Sequence, residues 1–289
     1  MAKQFSLPLL LHLLLIFFSF NATQSRPASF EHDFYITWSS NHVKPVQNGT
    51  CIQLLLDQSS GSGFASKRRY LFGRVSMKIK LVQGDSAGTV TAFYMASDVA
   101  RVRDEVDFEF LGNRTGQPYT VQTNVYARGK GDREQRVKLW FDPSADFHTY
   151  SILWNRYHIL FLVDEVPIRV YKNNEARGVP YPKAQTMGIY STLWEADDWA
   201  TRGGLEKIDW TKAPFLAYYK DFDIDACAVP GPSGCTATTN NWWDGPSYRQ
   251  LDPVQARRYH WVRMYHMIYD YCTDKARYPV TPAECFSWI

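Results

Sequence analysis

The chain has 289 residues, with 32 Lys and Arg against 29 Asp and Glu, a formal net charge of +3. So small a charge, without any basic run, excludes a nucleic-acid partner on electrostatic grounds. Aromatic residues make up 16% of the chain, enough to fill a core and also to offer faces on which sugar rings stack, so composition alone does not separate these uses.

The first residues read as a secretory signal. Lys3 gives a short positive start, and Leu7 to Phe20 is an apolar run broken only by Pro8, His12 and Ser19. That run is short for a membrane span and fits the apolar region of a signal peptide. We expect residues 1–25 to be removed, with Ala22, Ser25 and Ala28 leaving the cleavage position open. No later segment is long and apolar enough to span a bilayer, so a secreted protein without a membrane anchor is expected.

From Phe34 to about Asp225 the chain reads as short strands with turn punctuation. Val75, Met77, Ile79 and Leu81 alternate with Ser76, Lys78 and Lys80, a half-buried strand. Gly84–Gly88 is a loop, and Thr89–Met95 a buried strand after it. Ser151–Trp154, Ile159–Val163 and Ile168–Tyr171 read as a meander turning at Asn155-Arg156 and Asp164-Glu165. Strands at this spacing predict an all-β sandwich or jelly roll. Neither a dinucleotide fingerprint nor a phosphate-binding loop is present, and no organic cofactor is expected.

The segment Glu105-Val106-Asp107-Phe108-Glu109-Phe110 alternates strictly between acidic and apolar residues. On a strand the three carboxylates form one row, backed by Val106, Phe108 and Phe110. Three like charges in a row raise one another's pKa and oppose folding. Carboxylates that share a site and titrate apart are what glycoside hydrolysis needs. A solvated strand face is the plainer alternative, but such faces mix Lys, Thr and Glu. Retaining hydrolysis sets its two carboxyls about 5–5.5 Å apart, whereas Cα atoms at i and i+4 on a flat strand lie roughly 13 Å apart. Curvature and long Glu side chains leaning inward must close that gap.

The last quarter differs. Asp252-Pro253 marks a helix start, with an N-cap carboxylate and Pro at the first helical position. Val254, Val262, Tyr265, Ile268 and Tyr269 follow helical spacing, interrupted by Arg258, which predicts a helix ending near Tyr271. Cys227, Cys235, Cys272 and Cys285 cluster here and read as two disulfides of open connectivity. A metal site is disfavoured, because no C-x-x-C pair or suitably spaced His accompanies them. Cys51 is left over, either a buried thiol or, after the turn Asn48-Gly49-Thr50, an exposed one.

Asp104–Gly112 with Asn113 resembles the catalytic strand of glycoside hydrolase family 16, in the form found in plant xyloglucan endotransglucosylase/hydrolases. Gly61-Ser62-Gly63-Phe64, Gly84–Thr89, Gly116-Gln117-Pro118-Tyr119, Ala196–Thr201 and the Cys-bearing tail resemble family segments too. The resemblance implies a jelly-roll catalytic body over 26–225 and a C-terminal extension over 226–289 that lengthens the acceptor end of the cleft. It implies Glu105 as nucleophile, Glu109 as general acid/base and Asp107 as a helper between them. For Asp107 we expect a hydrogen bond to Glu105 and a charge that keeps Glu109 protonated.

By the same resemblance Tyr94, Gln122, Asn124 and Arg136 line the cleft near the reactive sugar. Trp194, Asp198, Trp199, Gly203 and Arg277 fall on the acceptor side. Read without it, Tyr94 and Trp194 pass for core aromatics and Arg136 and Arg277 for surface charges. The disulfides implied are Cys227–Cys235 and Cys272–Cys285. Asn113-Arg114-Thr115 is an N-glycosylation acceptor that the resemblance favours, and Asn48-Gly49-Thr50 is a second. Two departures stand out: Arg103 where His is common before the acidic motif, and Gln83 where Pro is usual.

The expected activity is retaining cleavage of xyloglucan and transfer of the new end to a xyloglucan or oligosaccharide acceptor, by a monomer in the plant cell wall. Gly203–Lys207 passes into Ile208-Asp209-Trp210 without the inserted loop of hydrolysis-biased relatives, which favours transfer. The alternatives are a xyloglucan endohydrolase and, in another class, a glycan-binding jelly roll without activity. The latter is disfavoured by the presence of all three carboxylates, and a mixed-linkage glucanase by the cysteine-rich tail.

Overall fold

Alternating apolar residues in short runs become strands, and the turn residues between them set where the strands end. The computed structural model describes residues 27–231 and 241–286. The expected signal peptide and Cys235 lie outside the described residues. In chain order the strands are β1 (Phe34–Trp38), β2 (Val43–Val46), β3 (Cys51–Leu56), β4 (Ser62–Ser66), β5 (Arg69–Lys80), β6 (Thr89–Ala96), β7 (Glu105–Leu111) and β8 (Thr120–Tyr126). They continue with β9 (Gln135–Lys138), β10 (His148–Trp154), β11 (His158–Val163), β12 (Val166–Lys172), β13 (Gly188–Glu195), β14 (Phe215–Val229) and β15 (Met267–Asp270).

Two antiparallel sheets result. One has eight strands in the order β1-β4-β13-β6-β7-β8-β9-β15, and the other seven in the order β12-β11-β10-β5-β14-β3-β2. This is the expected jelly-roll sandwich, and the meander from β10 to β12 falls where the sequence placed it. The acidic strand β7 lies inside its sheet, paired to β6 on one side and β8 on the other. Its apolar face is fully buried: Val106, Phe108 and Phe110 have no exposed surface. The Phe108 ring meets Phe161 of the facing sheet edge-on at 5.2 Å, and Phe110 meets Tyr150 at 4.7 Å. Burying each ring contributes about 1.5–3 kcal/mol. That anchorage holds a row of carboxylates on the other face against their mutual repulsion. Truncating Phe108 to Ala would cost about 3–5 kcal/mol.

The C-terminal segment carries an α-helix, α1 (Phe30–Asp33) being the only earlier α-helix among the described residues. This later helix, α2 (Pro253–Tyr265), is capped as expected. Asp252 accepts from the backbone N–H groups of Val254 and Gln255 at 2.7 and 2.8 Å, while Gln255 Oε1 accepts from Asp252 N–H at 3.2 Å. It ends at Tyr265, however, not near Tyr271. Ile268 and Tyr269 belong to β15, which pairs with β9 and closes the edge of the eight-stranded sheet. Edge pairing satisfies a row of backbone groups that another helical turn would leave to solvent. The expected apolar face of α2 is not the packed one either: Val262 is buried, but Val254, Tyr265 and Ile268 are exposed.

What holds this segment is a set of discrete ties. Cys272 and Cys285 form the expected disulfide. Arg133 Nε donates to Glu284 at 2.7 Å, and Arg263 donates to Asp270 at 3.0 Å. Cys227 is also disulfide-bonded. Cys51 is a buried free thiol, and burial pushes its pKa up. The Gln83 side-chain amide donates to the Ser144 carbonyl at 2.9 Å.

Candidate active site

Strict antiparallel register turns the acidic row into a two-dimensional patch. Glu105 lies between Ala96 and Tyr126, Asp107 between Tyr94 and Asn124, and Glu109 between Ala92 and Gln122. One strand further out, Tyr190 stands opposite Tyr94, Thr192 opposite Ala92, and Arg136 opposite Gln122. Since directly opposed side chains share a face, residues from five strands floor one groove. Tyr94 and Tyr190 stack at 5.0 Å between ring centroids, and Arg69 donates to the Tyr190 hydroxyl at 2.8 Å.

A polar chain runs along the Glu109 row. Arg136 Nε donates to Gln122 Oε1 at 2.7 Å, and Gln122 Nε2 donates to Glu109 Oε2 at 2.6 Å. The Asn124 oxygen is engaged by the backbone N–H groups of Val125 and Arg133, which fixes the amide beside Asp107. At the other end of the row Arg103 makes an ion pair with Glu105.

These contacts set three different proton affinities. Burial pushes Glu109 up to about 7, opposed by the Gln122 hydrogen bond and helped by the charge of Glu105. Asp107 is raised well above the carboxylate range by burial, by the charges of Glu105 and Glu109, and by its hydrogen bond to Glu105. Glu105 is raised by burial as well, but Arg103 and the Asp107 hydrogen bond both pull it back. The arrangement therefore sets the three carboxyls apart: Glu105 has a cation beside it that opposes burial, Asp107 lies between two carboxylates, and Glu109 is held at about 7. After burial, the charges of Glu105 and Glu134 lift Glu109, and the expected hydrogen bond joins Asp107 to Glu105. A fully buried Asp flanked by two carboxylates is the member of the row least able to carry charge.

Trp194 and Trp199 lie together, ring centroids 6.1 Å apart, at the end of β13. Trp194 stands opposite Val90 of β6, and it is exposed, not a core residue. Asp198 is exposed in the loop beyond it. Gly203 has φ +70° with open space where a side chain would be. This loop is fastened to the body: Asp197 accepts from the Ile208 N–H at 2.7 Å, and Arg114 donates to Glu206 at 3.0 Å. Arg277 is not adrift on the surface, because its guanidinium donates to Asp132 at 2.8 Å and to Glu134 at 2.6 Å. It thereby ties the tail to the segment before β9. Asn48 is exposed at its turn; Asn113 is half-buried, its amide donating to the Pro118 carbonyl at 3.0 Å.

The sequence reading missed Trp38, Thr192 and Tyr190. Trp38 and Thr192 line the groove with the carboxylates. Only the strand order β1-β4-β13-β6 brings them there. One signal was available: Gly63 sits where a Cβ would come within 2.4 Å of the Trp38 ring, so a glycine in a strand marked a close approach. Among the described residues no cluster of His, Cys, Asp or Glu is placed to hold a metal ion.

Comparison with known proteins gives a family context to this geometry. The model for glycosyl hydrolases family 16 matches residues 30–212, and the model for the xyloglucan endo-transglycosylase (XET) C-terminus matches residues 237–285. A probable xyloglucan endotransglucosylase/hydrolase protein 7 of Arabidopsis thaliana is 70% identical over 270 residues, covering 93% of this chain and 92% of that protein. Xyloglucan endotransglucosylase protein 2 of Diospyros kaki is 56% identical, covering 89% and 87%. Among solved structures, an apo Crh5 transglycosylase aligns with a TM-score of 0.57 at 25% identity, over 69% of this chain and 80% of that one. A Bacillus licheniformis β-glucanase aligns with a TM-score of 0.53 at 24% identity, covering 70% and 90%, a likeness of fold alone.

Proposed function

The chain belongs to glycosyl hydrolases family 16, as a xyloglucan endotransglucosylase/hydrolase, and from that premise we propose a retaining cycle in which transfer to a sugar acceptor outruns hydrolysis. Glu109 holds the proton for the leaving glycosidic oxygen, and Glu105 attacks the anomeric carbon. The carbon–oxygen bond to the leaving chain breaks, an ester to Glu105 forms, and the Glu109 proton goes to the departing oxygen.

The ester also prepares the second half. Glu105 loses its negative charge, and that charge is one of the causes holding Glu109 up. Glu109 then gives up protons more readily and stands ionised as a base. It takes the proton of the incoming hydroxyl, whose oxygen displaces Glu105 from the anomeric carbon. Asp107 donates to Glu105 throughout the resting state and keeps its carboxylate ionised. The observation that carries this reading is the split along one strand face, with Glu109 at about 7 and Glu105 paired to Arg103.

Transfer over hydrolysis rests on the acceptor side. Trp194 and Trp199 offer adjoining ring faces, Asp198 and Gly203 border them, and Arg277 braces the tail against Glu134. A bound acceptor places its hydroxyl with an effective concentration that water does not match. We assign Tyr94, Gln122, Asn124 and Arg136 to the reactive sugar by family resemblance, and their register beside the carboxylates supports it. The body over 26–225 carries the chemistry and the extension over 226–289 the acceptor end. Secretion to the cell wall, after loss of residues 1–25, and glycan on Asn113 and Asn48 complete the proposal; no described helix is long and apolar enough to cross a membrane.

The test is incubation with xyloglucan and a labelled xyloglucan oligosaccharide. Label should enter polymer, and chain lengths should reshuffle with little gain in reducing ends. Reducing ends released as fast as label is incorporated would replace the transferase reading with the endohydrolase one. Neither event would leave the glycan-binding jelly roll.

A further inference from the structure

A second cavity lies away from the catalytic groove, between α2, β12 and the buried side of β9. Its volume is about 610 Å³, within the roughly 300–1,000 Å³ typical of small-molecule sites. Gln135 lines it, and Gln135 alternates with Arg136, which faces the catalytic groove. The two sites are therefore on opposite faces of β9.

Three buried groups at this cavity are left incompletely paired. Arg169 is 1% exposed, yet its guanidinium donates only to neutral oxygens: the Thr123 carbonyl at 2.6 Å, the Thr123 hydroxyl at 3.0 Å and the Arg133 carbonyl at 2.6 Å. No carboxylate among the described residues lies within ion-pair distance of it. A buried charge without a counter-ion is costly, and proteins ordinarily pair such charges. His158 and Gln135 also line the cavity and are 2% and 1% exposed; His158 Nε2 and Gln135 Oε1 have no hydrogen-bond partner.

Apart from Glu284 the charged residues of the lining are basic, and the walls are largely tyrosine. Arg249 and His260 stand at the rim and are exposed. The sole acidic lining residue is Glu284, already paired with Arg133. Tyr157, Tyr171, Tyr259 and Tyr271 supply aromatic walls. Arg249 lies over the Tyr157 ring at 5.2 Å. A cationic, tyrosine-walled cavity with orphaned donors and acceptors suits a ligand that has a carboxylate, several hydroxyls and a flat C–H face.

We infer that this cavity is a second carbohydrate site, selective for a uronate: a pyranose bearing a carboxylate. Its carboxylate faces the guanidinium of Arg169 from the cavity and draws on Arg249 and His260 at the rim. Its ring packs against tyrosine, and its hydroxyls reach His158 Nε2 and Gln135 Oε1. The ligand class is distinct from the neutral glucan of the catalytic groove, so the inference does not depend on the reaction proposed above.

Isothermal titration of the intact protein with sodium D-glucuronate tests it, with D-glucose and inorganic phosphate as comparison ligands. Glucuronate should bind with a stoichiometry of one, glucose should give no heat, and phosphate should bind at least tenfold more weakly. The double variant Arg249→Ala/His260→Ala, confined to the exposed rim, should lose at least tenfold in glucuronate affinity while melting at the wild-type temperature. Arg169→Met should abolish binding if it folds, and the rim variant decides the matter if it does not. No glucuronate heat, equal affinity in the rim variant, or phosphate binding as tight as glucuronate would each overturn the assignment.

Discussion

Replacing Gln122 with Met isolates the control of Glu109. The Gln122 amide donates to Glu109 at 2.6 Å and is itself oriented by Arg136 at 2.7 Å. It is the largest influence holding Glu109 down against burial, and the balance is about 7. A hydrogen bond to an ionised group is worth about 1.5–3 kcal/mol, and each pH unit corresponds to about 1.36 kcal/mol. Losing the bond should therefore raise Glu109 by roughly one to two pH units, and the apolar Met adds desolvation of the same sign. The first half of the cycle needs Glu109 protonated, so kcat/KM for the donor falls as pH rises through its pKa. In Gln122→Met that alkaline limb should move upward by roughly one unit or more, beneath a lower plateau. The assay is label incorporation at low donor concentration across pH 5–9 (about four units, wide enough to bracket both limbs). A limb that stays in place, or moves down, would refute the claim that Gln122 sets the proton affinity of Glu109.

Asp107→Asn keeps a hydrogen-bond donor to Glu105 but cannot ionise. Asp107 is raised in the folded protein, so the native state binds its proton more tightly than the unfolded chain and loses stability as pH rises above the unfolded value. The variant should melt higher than wild type at pH 7, with the gap closing near pH 4; a gap independent of pH would contradict the assignment. Cys272→Ser opens a loop of sequence separation 13 and should cost about 3 kcal/mol, read as earlier proteolysis of the tail in urea; an unchanged profile would show that the ion pairs alone suffice. Trp199→Ala should lower transfer more than hydrolysis, and an equal fall in both would remove its acceptor role.

The acidic row was legible because a period of two admits one reading: charge on one face, Val106, Phe108 and Phe110 on the other. The start of α2 was legible for a similarly local reason, the cap at Asp252 followed by Pro253. Its end was not. Ile268 and Tyr269 fit a helical period, and only the open edge of β9, more than a hundred residues earlier, draws them into a strand. Trp38 and Tyr190 were hidden for the same reason, since strand order and not spacing brings them to the groove. The isolated charge of Arg169 had no signature at all in a strand that reads simply as Val166–Lys172. Arg103, the departure noted beside the motif, makes an ion pair with Glu105.

The central claim is that Glu105 forms a covalent bond to the sugar while Glu109 handles the proton. It is tested most directly by trapping. A xyloglucan oligosaccharide with a 2-deoxy-2-fluoro reactive sugar and an activated leaving group should glycosylate the enzyme faster than the glycosyl ester turns over. Digestion and mass spectrometry should then place the sugar on the peptide containing Glu105, with fragmentation assigning it to that side chain. An adduct on Asp107 or Glu109, or full turnover of natural substrate with inverted anomeric configuration, would contradict the account.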